Sequence, residues 1–432
     1  MIELVVWLVL RHPTFGVPLL IAFAVLLVVG ARGQNRARTQ QVIRRGGTGL
    51  APAAKAKLRA ADPTFSEILF LDQVRLIFAR AQEERGRGNL ASIAALLDDR
   101  ILKGLRERTR GPVEEVVVGV ARMTSIEIHD PWVSIEVLFE ANFQENGCHT
   151  HTVERWSFRR TLACRSPGPE RMRSLGCPAC GSTLETRPDG SCVHCDTPIG
   201  GGQQLWQVTR AGVSHHREVP RVELSLGGGM EIGTDLALVR AADLDAQIRA
   251  LSGRHPELRL GDFNTYATAV FLKIQEAWAA MDYEKARPYE TDALYQQHRY
   301  WLHRYRAQGL RNRLEDIRIT RIDVARLGVD AWVEFITLRM HAQMRDWTED
   351  GRGQVVGGSK DTPKRFTEYW TFVRGAGGNA KPRSQVDQCP SCGAALDNVG
   401  QTGICGYCDA KVTSGDFDWV LAAIDQDEVY QG

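Results

Sequence analysis

The sequence predicts an α+β protein built twice, on three observations: helical periodicity gives way to period-two strand patterns, that succession recurs, and each copy carries a four-cysteine ribbon. The first copy holds Trp156-Ser157-Phe158-Arg159-Arg160, then Cys177-Pro178-Ala179-Cys180, Cys192-Val193-His194-Cys195 and Trp206-Gln207-Val208. The second holds Trp370-Thr371-Phe372-Val373-Arg374, then Cys389-Pro390-Ser391-Cys392, Cys405-Gly406-Tyr407-Cys408 and Trp419-Val420. Upstream, at one constant offset, Pro63 matches Pro256, Phe70 matches Phe263, Phe78 matches Phe271, Gln82 matches Gln275 and Asn89 matches Asp282. The offset widens toward the ribbons, so the second copy carries extra loop residues in its middle.

With 432 residues, 43% hydrophobic and 25% charged, the chain has globular composition and room for two or three cores. Its charge is unevenly placed. Residues 1–61 carry nine Arg and Lys against Glu3 alone, or +8, and the net +2 of the whole chain leaves −6 for 62–432. An acidic body argues against broad nucleic-acid binding, because phosphate recognition needs a basic face.

Taken in order, residues 1–31 are nearly continuous apolar sequence, and Phe15 to Ala31 approaches the length of a membrane span. Glu3 stands where a signal peptide would be basic, so the segment reads as a retained anchor. The basic residues that follow place the rest of the chain on the cytoplasmic side of the inner (plasma) membrane as a single-pass protein. Residues 32–61 read as a flexible basic tether with affinity for anionic lipid; the same charge also serves as a flank that only fixes orientation.

The first domain is expected over 62–218 and the second over 256–425, with 219–255 a structured linker in which Leu236 to Leu251 can form one helix. Phe65, Ile68, Leu69, Val74, Ile77 and Phe78 give the first copy a helical stripe; Phe263, Tyr266, Val270, Ile274, Ala277 and Trp278 give the second. Shorter helices follow at Leu90 to Leu105 and at Glu284 to Ala307. Strands follow in turn. Val133, Ile135, Val137 and Phe139 alternate with polar neighbours, as do Ala331, Val333, Phe335 and Thr337 less cleanly.

The ribbons span 177–195 and 389–408, each inserted between the last two strands of its domain. Four thiolates from two facing CxxC turns, Cys177, Cys180, Cys192 and Cys195 or Cys389, Cys392, Cys405 and Cys408, suit a closed tetrahedral Zn²⁺ with no open position. Two structural zinc ions are therefore expected; iron also accepts four cysteines. Gly181 and Gly393 permit the tight turns, and Gly190 and Gly403 prepare the second ones. Thiolate ligands agree with a reducing compartment.

The run Phe271-Leu272-Lys273-Ile274-Gln275-Glu276-Ala277-Trp278, then Asp282, Arg287-Pro288, Thr291, Leu294-Tyr295, Gly309 and Asn312, closing with Glu368-Tyr369-Trp370-Thr371-Phe372-Val373-Arg374 and Trp419-Val420-Leu421, resembles the Tim44-like domain family. That family includes the matrix-side anchor subunit of the mitochondrial import motor, a mitochondrial ribosomal protein and membrane-anchored bacterial relatives. The resemblance implies two cone-shaped domains of the nuclear transport factor two type, each a helical layer against a curved sheet around an apolar cavity. The plain family form has one domain and no metal, and no presequence or chaperone-recruiting segment marks this chain, so fold and membrane-side scaffolding are what the resemblance carries.

Three functions are thereby expected in order. The first is a non-enzymatic, membrane-anchored zinc adaptor that binds protein partners, in protein transport or assembly, with ribbons that either recognise or only stabilise. The second is a cavity enzyme or small-ligand binder drawing on Cys148, His149 and His151, or on Asp282, His298 and His303. The third is ribosome or nucleic-acid tethering through Arg299, Arg304, Arg306, Arg311 and Arg313.

Overall fold

The computed structural model describes residue 50 and residues 52–432 apart from 188, 220–235, 378–381, 384 and 428. The expected anchor at 1–31 and the tether up to 49 lie outside the described residues. Among the described residues no helix is long and apolar enough to cross a membrane.

Helix α1 (Pro52–Ala61) opens the described chain, so the last part of the expected flexible tether is ordered. Leu58 explains it, being buried in the first core. Helix α2 (Glu67–Arg87) begins where Ser66 Oγ accepts the N–H of Leu69 and ends where Gly88, at φ 71°, turns its N–H back to Arg85 and Glu84. A 3-10 turn (Leu90–Leu96) and α3 (Asp99–Glu107) lead into strands β1 (Val113–His129), β2 (Trp132–Glu145), β3 (Cys148–Thr161) and, after a short helix α4 (Pro169–Met172) and the first ribbon, β4 (Gln207–Glu218). These pair antiparallel in the order β1-β2-β3-β4.

The second half repeats this element order. Helices α5 (Leu244–Arg254) and α6 (Leu260–Ala279), a 3-10 turn (Tyr283–Tyr289) and α7 (Asp292–Ala307) precede β5 (Arg311–Val329), β6 (Val333–Glu349), β7 (Val355–Gly375) and β8 (Val420–Gln426), ordered β5-β6-β7-β8. Helix α5 starts at Leu244, not Leu236, and its buried Leu244 and Leu251 join the second core. Both first strands carry three register shifts, and Glu115 and Asp316, each at φ 52°, sit within the first of them. Such bulges bend a strand, which curls each sheet around its long helix.

Matched aromatic rings fill both cones. Phe70 meets Trp206 at 4.9 Å and Phe158 at 6.0 Å, while Phe263 meets Trp419 at 5.0 Å and Phe372 at 5.5 Å. Deeper in, Phe78 lies 4.9 Å from Trp156 and Phe271 lies 5.0 Å from Trp370. Each strand tryptophan donates its indole N–H to the glutamate two residues before it, Trp156 to Glu154 (2.8 Å) and Trp370 to Glu368 (3.0 Å). Rings therefore pack between the long helix and the sheet of each half.

One strand reading is corrected. Val133, Ile135, Val137 and Phe139 face the first core as expected, but on β6 the second core takes Ile336, Leu338, Met340, Ala342 and Met344, the opposite parity from Val333, Phe335 and Thr337; Ala331 precedes the strand. The alternation is real, yet it points to the other copy. Val333 is buried in the first core, and the Trp332 indole N–H donates to the Thr64 carbonyl (2.9 Å). A sheet buried on both faces loses the clean period-two signal.

Both halves lie in one compact unit, Gly47–Gly432. Glu67 bonds Lys55 of its own half (3.1 Å) and, across the joint, Arg326 (3.5 Å); burial raises its carboxyl, and the two cations outweigh that and hold it below the usual range. Trp206→Ala and Trp419→Ala should each cost about 3–5 kcal/mol, the usual loss for a buried ring. Denaturant unfolding checks this; a loss under about 1 kcal/mol would contradict the ring-filled cores.

Candidate metal centres

Each ribbon begins where the chain leaves the end of an inner strand, β3 or β7, and ends where Trp206 or Trp419 returns it to the edge strand β4 or β8. Arginines clamp those returns. Arg160 Cζ lies 4.6 Å from the Trp206 ring and Arg374 Cζ lies 5.4 Å from the Trp419 ring. Arg160 also pairs with Asp62 (2.7 Å), and Arg374 with Glu334 (2.5 Å), all four side chains being buried.

Within the first ribbon, Cys177, Cys180, Cys192 and Cys195 converge with all four sulfurs within 4.8 Å of one another; Cys389, Cys392, Cys405 and Cys408 do the same in the second. Cys177 and Cys195 sulfurs are 3.7 Å apart and those of Cys180 and Cys192 are 4.0 Å apart; the matching separations in the second ribbon are 3.9 and 4.0 Å. Four sulfurs at about 2.3 Å from a tetrahedral ion stand about 3.8 Å apart. A disulfide needs about 2.05 Å, and all ten cysteines are free. The donor set thus fits one tetrahedral ion, zinc or iron, and is too tight to embrace a cluster of several irons.

Local backbone makes this geometry. Gly181 (φ 76°) and Gly393 (φ 77°) take the left-handed turn after the first cysteine pair, donating N–H to the carbonyls of Cys177 (2.8 Å) and Cys389 (2.9 Å). After the second pair Asp196 (φ 60°) and Asp409 (φ 58°) play the same part, which the glycine pattern did not disclose. The His194 N–H donates to the Cys192 sulfur (3.4 Å) and draws that thiol down to about 6, toward the thiolate a metal requires. An ion held there would be closed to substrate, cross-linking the two turns and supplying no open coordination position.

The two ribbons are seated differently. Cys177, Leu184, Cys192 and Ile199 belong to the first copy's core, whereas Cys389, Leu396, Val399, Cys405 and Val412 form a separate small core. Arg287 fastens the second ribbon instead. Buried to 1% exposure, it donates to the carbonyls of Gln401 (2.8 Å) and Glu290 (2.9 Å), pairs with Asp292 and lies 4.8 Å from the Tyr295 ring. Lys411 reaches the same Asp292 (2.6 Å). A Cβ at Gly403 would fall 2.6 Å from Arg287 Nη2 and collide with Thr413, so this glycine is required by close approach as well as by its φ of 74°.

The histidine candidates separate. Cys148 is exposed at the start of β3, and His151 Nε2 lies 2.8 Å from buried Glu140 on that sheet, while Asp282 pairs with Lys285 (3.9 Å). His298 Nδ1 lies 2.9 Å from Glu290 Oε1 and 2.6 Å from Tyr283 Oη, and Tyr283 donates to Glu290 (2.8 Å). Neither Tyr283 nor Glu290 was evident as a partner. In the first half the aligned positions are the buried leucines Leu90, Leu97 and Leu105, so an apolar contact stands there where the second half has a hydrogen-bonded triad. None of these groups lines the cleft of about 980 Å³ between the copies, which is walled by Leu76, Val116, Pro169, Ala293 and Thr413. Of the five arginines considered for phosphate, Arg304 is buried, Arg313 pairs with Glu349 (3.2 Å) and Arg306 donates to the Met281 carbonyl.

Because the ribbons are seated differently, loss of metal should act differently at each. Cys177→Ser should expose amides throughout the first core in hydrogen exchange, whereas Cys389→Ser should raise exchange mainly over 385–417; equal spread from both would contradict the separate cores. Arg287→Ala should cost on the order of 2–4 kcal/mol, as loss of a buried charged anchor does, read as exchange over 396–416.

No curated protein matches the chain. Residues 244–387, from α5 through β7 to the base of the second ribbon, match the Tim44-like domain, and this part of the chain is similar to that family.

Proposed function

We propose that the chain is a non-enzymatic, membrane-anchored adaptor that displays two Tim44-like copies, each stapled by one structural zinc ion, at the cytoplasmic face of the inner membrane, where it binds protein partners in transport or assembly. The observation that carries this reading is the pair of closed four-cysteine sites on repeated scaffolds, an arrangement suited to presenting a surface and offering no reactive metal position. The Tim44-like match over 244–387 supports the membrane-side role. Duplication is inferred from the shared element order and matched ring contacts of the two halves. The anchor and its cytoplasmic orientation rest on the apolar run before Arg32 and the basic residues behind it.

Small-ligand binding is the second reading, and the cleft of about 980 Å³ between the copies favours it. In-cell cross-linking followed by purification from solubilised membranes separates the two. A discrete protein partner should co-purify with the wild type and be lost from a Cys177→Ser/Cys389→Ser double variant that stays in the membrane fraction. A small molecule without a protein partner would favour the cleft, and release from the membrane on chelation would contradict the anchor.

A further inference from the structure

The two ribbons share their ligand spacing and differ in what they leave bare. At the second knuckle Ile404 and Tyr407, on either side of Cys405, are 38% and 60% exposed; the matching residues of the first ribbon are Ser191, buried, and His194, polar. Arg187 reaches across the first knuckle to the carbonyls of Cys192 (2.9 Å) and Val193 (3.0 Å) and pairs with Asp196. Its counterpart is Gly400, which offers no guanidinium to the second knuckle, where the Asn398 side chain packs against Gly406 instead.

Single exposed apolar side chains are ordinary on protein surfaces. Here two flank one turn, that turn belongs to a small core separate from either cone, and neither residue lines the cleft between the copies. The unpaired charges on this ribbon and its flank are acidic. Asp397 and Asp409 are exposed and form no ion pair with a described residue, while Lys411, bridged to Ile404, is engaged by Asp292. Four thiolates around a divalent ion add no positive charge. Anionic lipid headgroups and nucleic-acid phosphates would be repelled by such a surface, and a cationic chain would be drawn to it.

Resting on the adaptor reading, we propose that the second ribbon's knuckle is the docking surface for a cationic polypeptide segment that inserts an apolar side chain against Ile404 and Tyr407. The first ribbon is then structural. An apolar anchor pair within a charged surround is the arrangement in which a few residues carry most of the binding.

The test is selection of a random peptide library, displayed on phage, against the full chain in nanodiscs of zwitterionic lipid. Enriched peptides should carry net positive charge with an aliphatic or aromatic residue. A synthetic representative should bind at least tenfold more weakly to Ile404→Ser/Tyr407→Ser and to Asp397→Asn/Asp409→Asn, bind His194→Ser as it binds wild type, and weaken with salt. Zinc content and hydrogen exchange over 385–417, unchanged in these variants, show that the ribbon is still folded. No enrichment, enrichment of uncharged or acidic peptides, or undiminished binding to both knuckle variants would overturn the proposal. If the cross-linked partner persists in the knuckle variants but is lost from Cys389→Ser, the adaptor reading stands and this docking site falls; if no partner is ever cross-linked, the adaptor reading itself falls.

Discussion

A chain that leaves the end of a strand and must come back to pair beside that same strand has to close on itself, and everything distinctive here depends on that closure. Residues 162–206 and 376–419 are the two excursions, and β4 and β8 cannot pair unless both ends of each are held together. Closing a loop of that size costs on the order of 3 kcal/mol plus a constant in chain entropy. A structural tetrahedral metal contributes roughly 10–16 kcal/mol in small zinc peptides, so a metal held by these cysteines would outweigh the closure cost. At the foot of each excursion the arginine over the returning tryptophan sets the strand's register, with Arg160 held by Asp62 and Arg374 by Glu334.

The two halves use that shared solution differently. The first ribbon is folded into its own domain's core, so its metal site and its cone are one cooperative body. The second is a satellite with its own small core, fastened chiefly through Arg287 and Lys411 to Asp292. Beneath that fastening, Tyr283, Glu290 and His298 replace three leucines, and Glu290 Oε2 is buried without a hydrogen-bond partner among the described residues. A buried polar network of this kind is less forgiving than an apolar contact and fixes one arrangement of the segment that carries Arg287.

The sequence disclosed what local patterns control. Cysteine spacing located both sulfur tetrahedra, and Val133 to Phe139 showed the core face of β2 because the first core and its opposite face differ in polarity. It failed where a second surface intervenes. Val333, Phe335 and Thr337 alternate toward the other copy, a contact no short window contains. Glycine signalled the first turn of each ribbon, but Asp196 and Asp409 take left-handed backbone in the second turn, where an aspartate is tolerated and gives no distinct pattern. The triad was hidden for the same reason as the ribbon seats: Tyr283, Glu290 and His298 come together only when the 3-10 turn folds onto α7.

X-ray absorption at the metal edge of the purified full chain, with metal content counted on the same sample, tests the central claim most directly. Two zinc ions per chain, each with a single shell of four sulfurs at about 2.3 Å, are expected. Fewer than two metals, a shell containing nitrogen or oxygen, or a metal–metal scattering path would contradict the account of two closed four-thiolate staples.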